Sequence, residues 1–255
     1  MTEVSLGIVT IATNIYIKYW ESMVLSLESK IGEGEECVAH VFTDQREQAQ
    51  KIKETLRKVR VEIHDIPAYK WPDATIRRYE VFTKFSSEIR QDVIMHLDAD
   101  MLFAENIFWE ITQSVRQNGI SLVSHPGFWN KQLNLRAVVK NFFQQAKTES
   151  GSWEDREIST AYVPPELRKV YVCGGIWAGA REAFFKLTAK LDIAVEIDRK
   201  NGVMAVWHDE SHLNKWASEN DYSLLSPSYC FVNEYAHLKS LKPKVIAVTK
   251  HDKTR

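Results

Sequence analysis

The first part of the chain alternates between short apolar runs and longer segments with helical spacing. Apolar runs rich in β-branched residues indicate strands, and apolar residues three or four apart indicate helices. In order, we expect a strand over Leu6–Ala12, a helix over Ile15–Ile31, a strand over Cys37–Phe42, a helix ending near Arg60 and a strand over Val61–Ile66. Parallel strands need long crossovers, so this order predicts an α/β fold, Rossmann-like, with a mixed, mostly parallel sheet flanked by helices.

A further apolar run, residues 92–103, carries Asp98 and Asp100 on either side of Ala99. In an extended segment, residues two apart point to the same side, so both carboxylates are expected side by side. They would lie at the carboxyl end of a strand, where open α/β sheets keep their ligand crevice. A hard divalent cation would relieve the repulsion between them. The same pattern is typical of an Asp-rich turn that binds nothing.

A second acidic pair, Asp209 and Glu210, follows directly on Trp207 and His208 at an expected helix start. Carboxylates there can cap the helix, or they can support positive charge that develops on a reacting carbon. His208 and His212 are four apart, the spacing with which two imidazoles bind zinc from one helix face. A metal-dependent hydrolase is therefore one alternative.

Composition narrows the function classes. The 255 residues are 44% hydrophobic and 26% charged, and the net charge of -1 gives no electrostatic reason to expect nucleic acid as a partner. No stretch approaches the roughly 20 apolar residues of a membrane span. Cys37, Cys173 and Cys230 are widely spaced and odd in number, which is typical of a reducing compartment. We expect one cytoplasmic domain over residues 1–255, in which about 239–255 form a mobile basic tail.

Two other segments point toward a bound anion and a covered site. Arg77 and Arg78 lie near the start of a helix predicted over Ala74–Arg90, an unfavourable place for cations unless an anion such as a diphosphate is nearby. Residues 130–165 are polar and have poor periodicity, which indicates an excursion over the site rather than a linker.

The run from Trp207 to Lys215, WHDESHLNK, resembles the signature of the family 6 glycosyltransferases, which are retaining α-1,3-galactosyl- and N-acetylgalactosaminyltransferases. Other segments that resemble the family follow in its order: VFTDQ at 41–45, Trp71 and Asp73 with Arg77 and Arg78, Asp98 and Asp100, HPGF at 125–128, AYVP at 161–164, and Ser226, Pro227, Tyr229 and Cys230. The resemblance covers nearly the whole chain. It implies a single catalytic domain of GT-A type fold.

The resemblance also implies roles for individual residues. Asp98 and Asp100 would bind Mn²⁺, or another divalent cation, against the diphosphate of a UDP-sugar donor. Asp209 would orient donor and acceptor hydroxyls, and Glu210 would face the anomeric carbon. The implied donor site comprises Ile11, Ala12, Thr13, Tyr16, Asp73, Arg78, Asp98, Ala99, Asp100, Cys173, Gly174 and Gly175. The implied site for a glycan acceptor comprises His125, Phe128, Trp207 and His208.

Two comparisons with the family pattern sharpen these expectations. Many bacterial members replace the two aspartates, whereas this chain keeps them, so we expect metal dependence. At the donor-selecting triplet, Gly175 resembles the pattern that uses N-acetylgalactosamine, while Cys173 is unusual. We therefore expect transfer of N-acetylgalactosamine, or galactose, to the 3-hydroxyl of a β-galactoside.

The vertebrate relatives carry a membrane anchor, whereas this chain begins almost at its first strand. A soluble, microbial or viral enzyme is the expectation. A catalytically inactive protein that binds UDP-sugars or glycans is the second alternative, and the acceptor and oligomeric state stay open.

Overall fold

The computed structural model describes residues 4–129 and 151–249, and its strands form one large and one small sheet. Strands β1 to β9 are Leu6–Ile11, Cys37–Thr43, Arg60–Asp65, Val93–Leu97, Met101–Phe103, Ile120–Ser124, Val172–Ala180, Ser223–Leu225 and Val245–Ala247. The large sheet has the order β3-β2-β1-β4-β7-β6-β8, and β5 pairs with β9. Strands β3, β2, β1 and β4 are parallel neighbours, while β7 runs antiparallel to both β4 and β6.

Helices cover the two faces of the large sheet. Helices α1 to α7 are Tyr16–Lys30, Arg46–Lys53, Asp73–Ile76, Arg78–Lys84, Phe108–Ser114, Arg181–Lys200 and His208–Glu219. On one side α1 contributes Trp20 and Leu27 to the core, and on the other α6 contributes Phe184 and Leu187. The predicted α/β fold with a mostly parallel central sheet is confirmed, and the architecture is that of the GT-A type.

The central strands are buried, as their unbroken apolar runs predict. All residues of β2 and β4 are buried, and so are all but the last of β1. Two histidines nevertheless lie in this layer, because Val9 of β1 is in register with His40 of β2 and with His96 of β4. Both histidines are only 1% exposed. Buried polar side chains require partners, and those partners differ between the two.

Some predicted elements have other bounds. The helix expected over Ala74–Arg90 is two short helices, α3 and α4, which meet at Arg77. The strand expected over residues 92–103 ends at Leu97 and resumes as β5 in the small sheet. In the tail, Val245–Ala247 form β9, whereas residues 250–255 lie outside the described residues, as do 130–150 of the predicted excursion. Across the described ranges, every helix is too short or too polar to cross a bilayer.

Candidate active site

A cleft of about 410 Å³ opens at the carboxyl ends of β1 and β4. Residues predicted for the donor site line it: Ile11, Thr13, Tyr16, Arg78, Asp98, Ala99 and Asp100. Ala12 is fully buried beside them, and its amide donates to the carbonyl of Phe42. Asp73 lies instead on a neighbouring cavity of about 130 Å³, together with Arg77 and His208. The parallel sheet thus places its crevice where the strand order predicts.

Strand β4 ends at Leu97, and Ala99 and Asp100 form a turn directly after Asp98, so the expectation of two carboxylates on an extended strand is wrong. The turn is held by its backbone at both ends. The Asp98 amide donates to the Gly175 carbonyl at 2.9 Å, and the Asp100 carbonyl accepts from the Val248 amide at 2.9 Å. Both aspartates still line the cleft, because the turn directly follows a central strand.

Arg78 lies beneath the cleft and is only 5% exposed. Its Nη2 donates to Asp98 Oδ1 at 3.0 Å, and its Nη1 donates to the Gly174 carbonyl at 2.9 Å. The same Nη1 lies 3.0 Å from Asp209 Oδ2. Burial opposes the charged form, but the Asp209 and Asp98 carboxylates outweigh it and raise the pKa of Arg78. One guanidinium therefore joins an aspartate of each acidic pair.

Asp209 and Glu210 occupy the first turn of α7, beside strand β7. Glu210 Oε2 accepts a hydrogen bond from the Gly174 amide at 2.7 Å. Desolvation raises the pKa of Glu210 to about 7, although that amide stabilises the carboxylate. Desolvation likewise raises the pKa of Asp209 to about 7, and Arg78 opposes the rise. Such values near neutrality are typical of carboxylates with a chemical task.

Gly174 and Gly175 allow both acidic pairs to approach β7. A Cβ on Gly174 would lie 2.8 Å from Glu210 Cβ, and one on Gly175 would lie 2.7 Å from Asp98 Oδ2. Real Cβ atoms essentially never come so close. The glycines thus face one predicted catalytic carboxylate and one predicted metal ligand. Cys173, which precedes them, is buried, and its Sγ lies 3.3 Å from Cys230 Sγ.

Aromatic side chains are prominent among the residues predicted to bind the acceptor. The rings of His125 and Phe128 have centroids 4.9 Å apart, and Phe128 packs edge-on against Tyr171 at 5.0 Å. Burial raises the pKa of Tyr171, and the negative charge of Glu210 raises it further. Trp207 is 51% exposed. Exposed aromatic faces of this kind suit the apolar faces of sugar rings.

His208 and His212 do not form the zinc site of the hydrolase alternative. His212 is buried, with Nε2 3.7 Å from Asp198 Oδ2, whereas the His208 ring lies edge-on to Trp71 at 5.4 Å. Within residues 4–129 and 151–249, no three His, Cys, Asp or Glu side chains are grouped so that they could hold a metal ion.

Sequence reasoning missed two residues that contact the site, His96 and Tyr171. His96 Nε2 lies 2.7 Å from Arg78 Nη1. A histidine inside an otherwise apolar strand, two positions before Asp98, was the available signal. Tyr171, which directly precedes β7, gave no local signal, because its surroundings depend on how α7 packs against β7.

Comparison with known proteins decides the family. The model of glycosyltransferase family 6 matches residues 1–255. The chain belongs to glycosyltransferase family 6. A histo-blood group ABO system transferase 1 of Rattus norvegicus is 26% identical over 257 residues, which cover 98% of this chain and 68% of the relative.

Two further family 6 relatives extend the comparison. The human globoside alpha-1,3-N-acetylgalactosaminyltransferase 1 is 24% identical over 94% of this chain and 65% of its own length. The Escherichia coli O-antigen biosynthesis glycosyltransferase WbnI is 24% identical over 93% of this chain and 92% of its own. As a family 6 member, the chain is a UDP-sugar-dependent hexosyltransferase. Glycosyl transfer replaces both the hydrolase and the inactive binding protein as its function.

Proposed function

We propose that this family 6 enzyme transfers N-acetylgalactosamine, or galactose, from its UDP derivative to the 3-hydroxyl of a β-galactoside, with retention and in α-1,3 linkage. The globoside relatives, by name, form an alpha-1,3 linkage with N-acetylgalactosamine. One observation carries the proposal. Arg78 lines a cleft of about 410 Å³ and contacts Asp98 and Asp209 from one buried position, so it joins Asp209 of the helix pair to the pair that lines the cleft.

The donor would occupy that cleft, with its uridine toward Ile11, Thr13 and Tyr16. These residues lie at or just after the carboxyl end of β1, where nucleotides bind in open α/β sheets. The diphosphate would then lie near Asp98 and Asp100, which repel it unless a cation intervenes. Arg78 offers positive charge, but it already pairs with two carboxylates.

A divalent cation fits the residues that are present. The two aspartates supply hard oxygen ligands, and small divalent cations commonly bind to one or two carboxylates together with substrate phosphates. A complete cage of protein ligands is therefore not required. We propose Mn²⁺, or another divalent cation, held by Asp98 and Asp100; when bound, it would offset charge on the departing UDP.

Glu210 is the residue that we propose to face the anomeric carbon. Retention by two displacements needs a nucleophile there, and retention by front-face attack needs a carboxylate that stabilises an oxocarbenium-like state. The Gly174 amide fixes one carboxylate oxygen of Glu210, which restricts the direction of the other. Asp209, which ion-pairs with Arg78, would orient the donor and acceptor hydroxyls.

The acceptor would bind along the aromatic border, between Trp207 with His208 on one side and His125 with Phe128 on the other. Trp207 is half exposed, and its Nε1 donates to Ser152 Oγ at 2.5 Å, which fixes the indole plane. A fixed, exposed indole provides a stacking surface at low entropic cost. The three cysteines are buried and unpaired by disulfides, which supports our proposal of a cytoplasmic, reducing location.

The test is a donor panel of UDP-N-acetylgalactosamine, UDP-galactose, UDP-N-acetylglucosamine and UDP-glucose with Mn²⁺. Each donor is assayed for UDP release with a fucosylated β-galactoside, a plain β-galactoside or no acceptor. We expect acceptor-dependent release that is highest with UDP-N-acetylgalactosamine, and an α-1,3 linkage in the NMR spectrum of the product. A clear preference for UDP-galactose would overturn the donor assignment, a β linkage would overturn retention, and undiminished activity in EDTA would overturn the metal.

A further inference from the structure

His96 lies on the central strand β4, two residues before Asp98, and contacts Arg78 from below. Its Nδ1 is 3.2 Å from the Val9 carbonyl oxygen, and its Nε2 is 2.7 Å from Arg78 Nη1. A carbonyl only accepts, so Nδ1 carries the hydrogen and donates it to Val9. Nε2 then presents a lone pair, which accepts from Arg78. The backbone of β1 thereby selects the tautomer of His96.

The surroundings of His96 favour this neutral form. A second ring hydrogen, on Nε2, would point at the Arg78 cation only 2.7 Å away. Nε2 also lies 3.4 Å from Asp98 Oδ1, but an unprotonated nitrogen cannot donate to that oxygen. Both atoms instead accept hydrogen bonds from Arg78: Nη1 donates to His96 Nε2, and Nη2 donates to Asp98 Oδ1.

The two hydrogens of Arg78 Nη1 have defined acceptors, His96 Nε2 and the Gly174 carbonyl. A guanidinium is planar and rigid, so two directions at Nη1 also fix the direction of Nη2. That direction is toward Asp98 Oδ1. Without the acceptor at His96, this hydrogen of Nη1 could turn to Asp209 Oδ2, which lies 3.0 Å from the same nitrogen, and the guanidinium plane would tilt with it.

We propose that His96 is a positioning residue, which holds Arg78 so that the Asp98 carboxylate stays in place for the donor. The proposal rests on the proposed function, because it takes Asp98 to be part of the donor site. It adds a residue that lines the same cleft and that acts on the donor site through its hydrogen bond with Arg78.

Two amide variants separate the two bonds of His96. Gln places its amide near the position of the imidazole Nε2, so His96→Gln can still accept from Arg78. Asn is shorter and reaches only the position of Nδ1, so His96→Asn keeps a donor for Val9 but loses the bond to Arg78. The matched control is His40→Asn, because His40 is equally buried, is in register with the same Val9 and bonds to Gln91 and His64 instead.

We expect His96→Asn to lower kcat/KM for the UDP-sugar by about tenfold or more, as for loss of a hydrogen bond to a charged group. His96→Gln should stay within about threefold of the unmodified enzyme on the same scale. Thermal unfolding should show similar drops in midpoint for His96→Asn and His40→Asn, whereas His40→Asn should keep its kcat/KM. Equal kinetic losses in these two variants would overturn the proposal.

A loss above tenfold in His96→Gln with an unchanged unfolding midpoint would also overturn it, and this outcome is independent of whether the Asn variant folds. If the unmodified enzyme releases no UDP from any donor, the proposed function fails, and the role of His96 fails with it. An active enzyme that is indifferent to His96→Asn defeats the His96 proposal alone.

Discussion

The two acidic pairs of the site differ in exposure and in the structure that carries them. Asp98 lies on a turn that lines the cleft, and its side chain is 37% exposed, whereas the Asp209 side chain on the first turn of α7 is 7% exposed. The turn pair can meet a cation and phosphate oxygens. The helix pair is desolvated, and its pKa values are raised to about 7. Similar residues can therefore support different chemistry, because their solvation differs.

The largest effect should come from the helix pair. Glu210→Gln removes the charge that we place at the anomeric carbon but retains an acceptor for the Gly174 amide. We expect kcat to fall about 10³-fold, as for loss of a preorganised electrostatic group. The measurement is UDP release at saturating donor and acceptor. Glu219→Gln, at the far end of the same helix, is the control, and retention of a tenth of the activity by Glu210→Gln would contradict the assignment.

The next largest effect should come from the turn pair. The Asp98→Asn/Asp100→Asn variant removes both proposed cation ligands, so we expect about a 10²-fold loss of turnover, comparable to the loss of one electrostatic contact in a transition state. A Mn²⁺ titration of the variant should be flat. Unmodified enzyme in EDTA provides the matched comparison, and a variant that transfers sugar at full speed would remove the metal from the mechanism.

Alanine substitutions of Gly174 and Gly175 should each affect one of the two acidic pairs, with intermediate losses of activity. Gly175→Ala would press on Asp98 Oδ2, and Gly174→Ala would press on Glu210 Cβ. We expect losses of about tenfold or more in both, since overpacking costs roughly 1–3 kcal/mol. Only Gly175→Ala should raise the Mn²⁺ concentration needed for half-maximal activity and change the ratio of the two galactose-type donors. The same Mn²⁺ dependence in both variants would show that the pairs are not independent.

The smallest effect is on stability as a function of pH. The pKa of Glu210 rises from an ordinary 4.5 to about 7 on folding, so between these values the folded state binds more protons than the unfolded one. Its contribution to stability is present below about pH 4.5 and is lost as pH rises through 7. The unfolding midpoint of Glu210→Gln, measured by scanning fluorimetry, should therefore increase relative to that of the unmodified enzyme as the pH is raised from 5 to 8. A constant difference across this range would mean that Glu210 is not desolvated.

Most of the fold could be predicted from the sequence, since β1, β2 and β3 are continuous β-rich runs separated by clear helical spacing. The errors have physical causes. The helix predicted through residues 74–90 breaks at Arg77, where the chain turns Arg78 inward to buried acceptors. No local pattern reports such tertiary partners, because propensity describes only neighbours along the chain.

The site was predicted less completely than the fold. Asp98, Asp100, Asp209 and Glu210 could be selected from spacing and resemblance, but the state of each carboxylate could not. Desolvation of Glu210 depends on packing against β7, a segment more than thirty residues away in the chain. The chain also turns after Asp98, so the two aspartates do not lie on one extended strand as expected. Asp98 and Asp100 nevertheless both line the cleft.

The small sheet has a consequence for when the enzyme becomes competent during synthesis. The Asp100 carbonyl accepts from Val248, and β5 pairs with β9, so the acidic turn acquires its last backbone partners from residues that leave the ribosome after those of the large sheet. A nascent chain can thus assemble the central strands while the cleft that we propose for the donor is still unfinished. Chains that end before Val245–Ala247 should still form the core that α1 and α6 pack against, but they should not turn over the UDP-sugar donor.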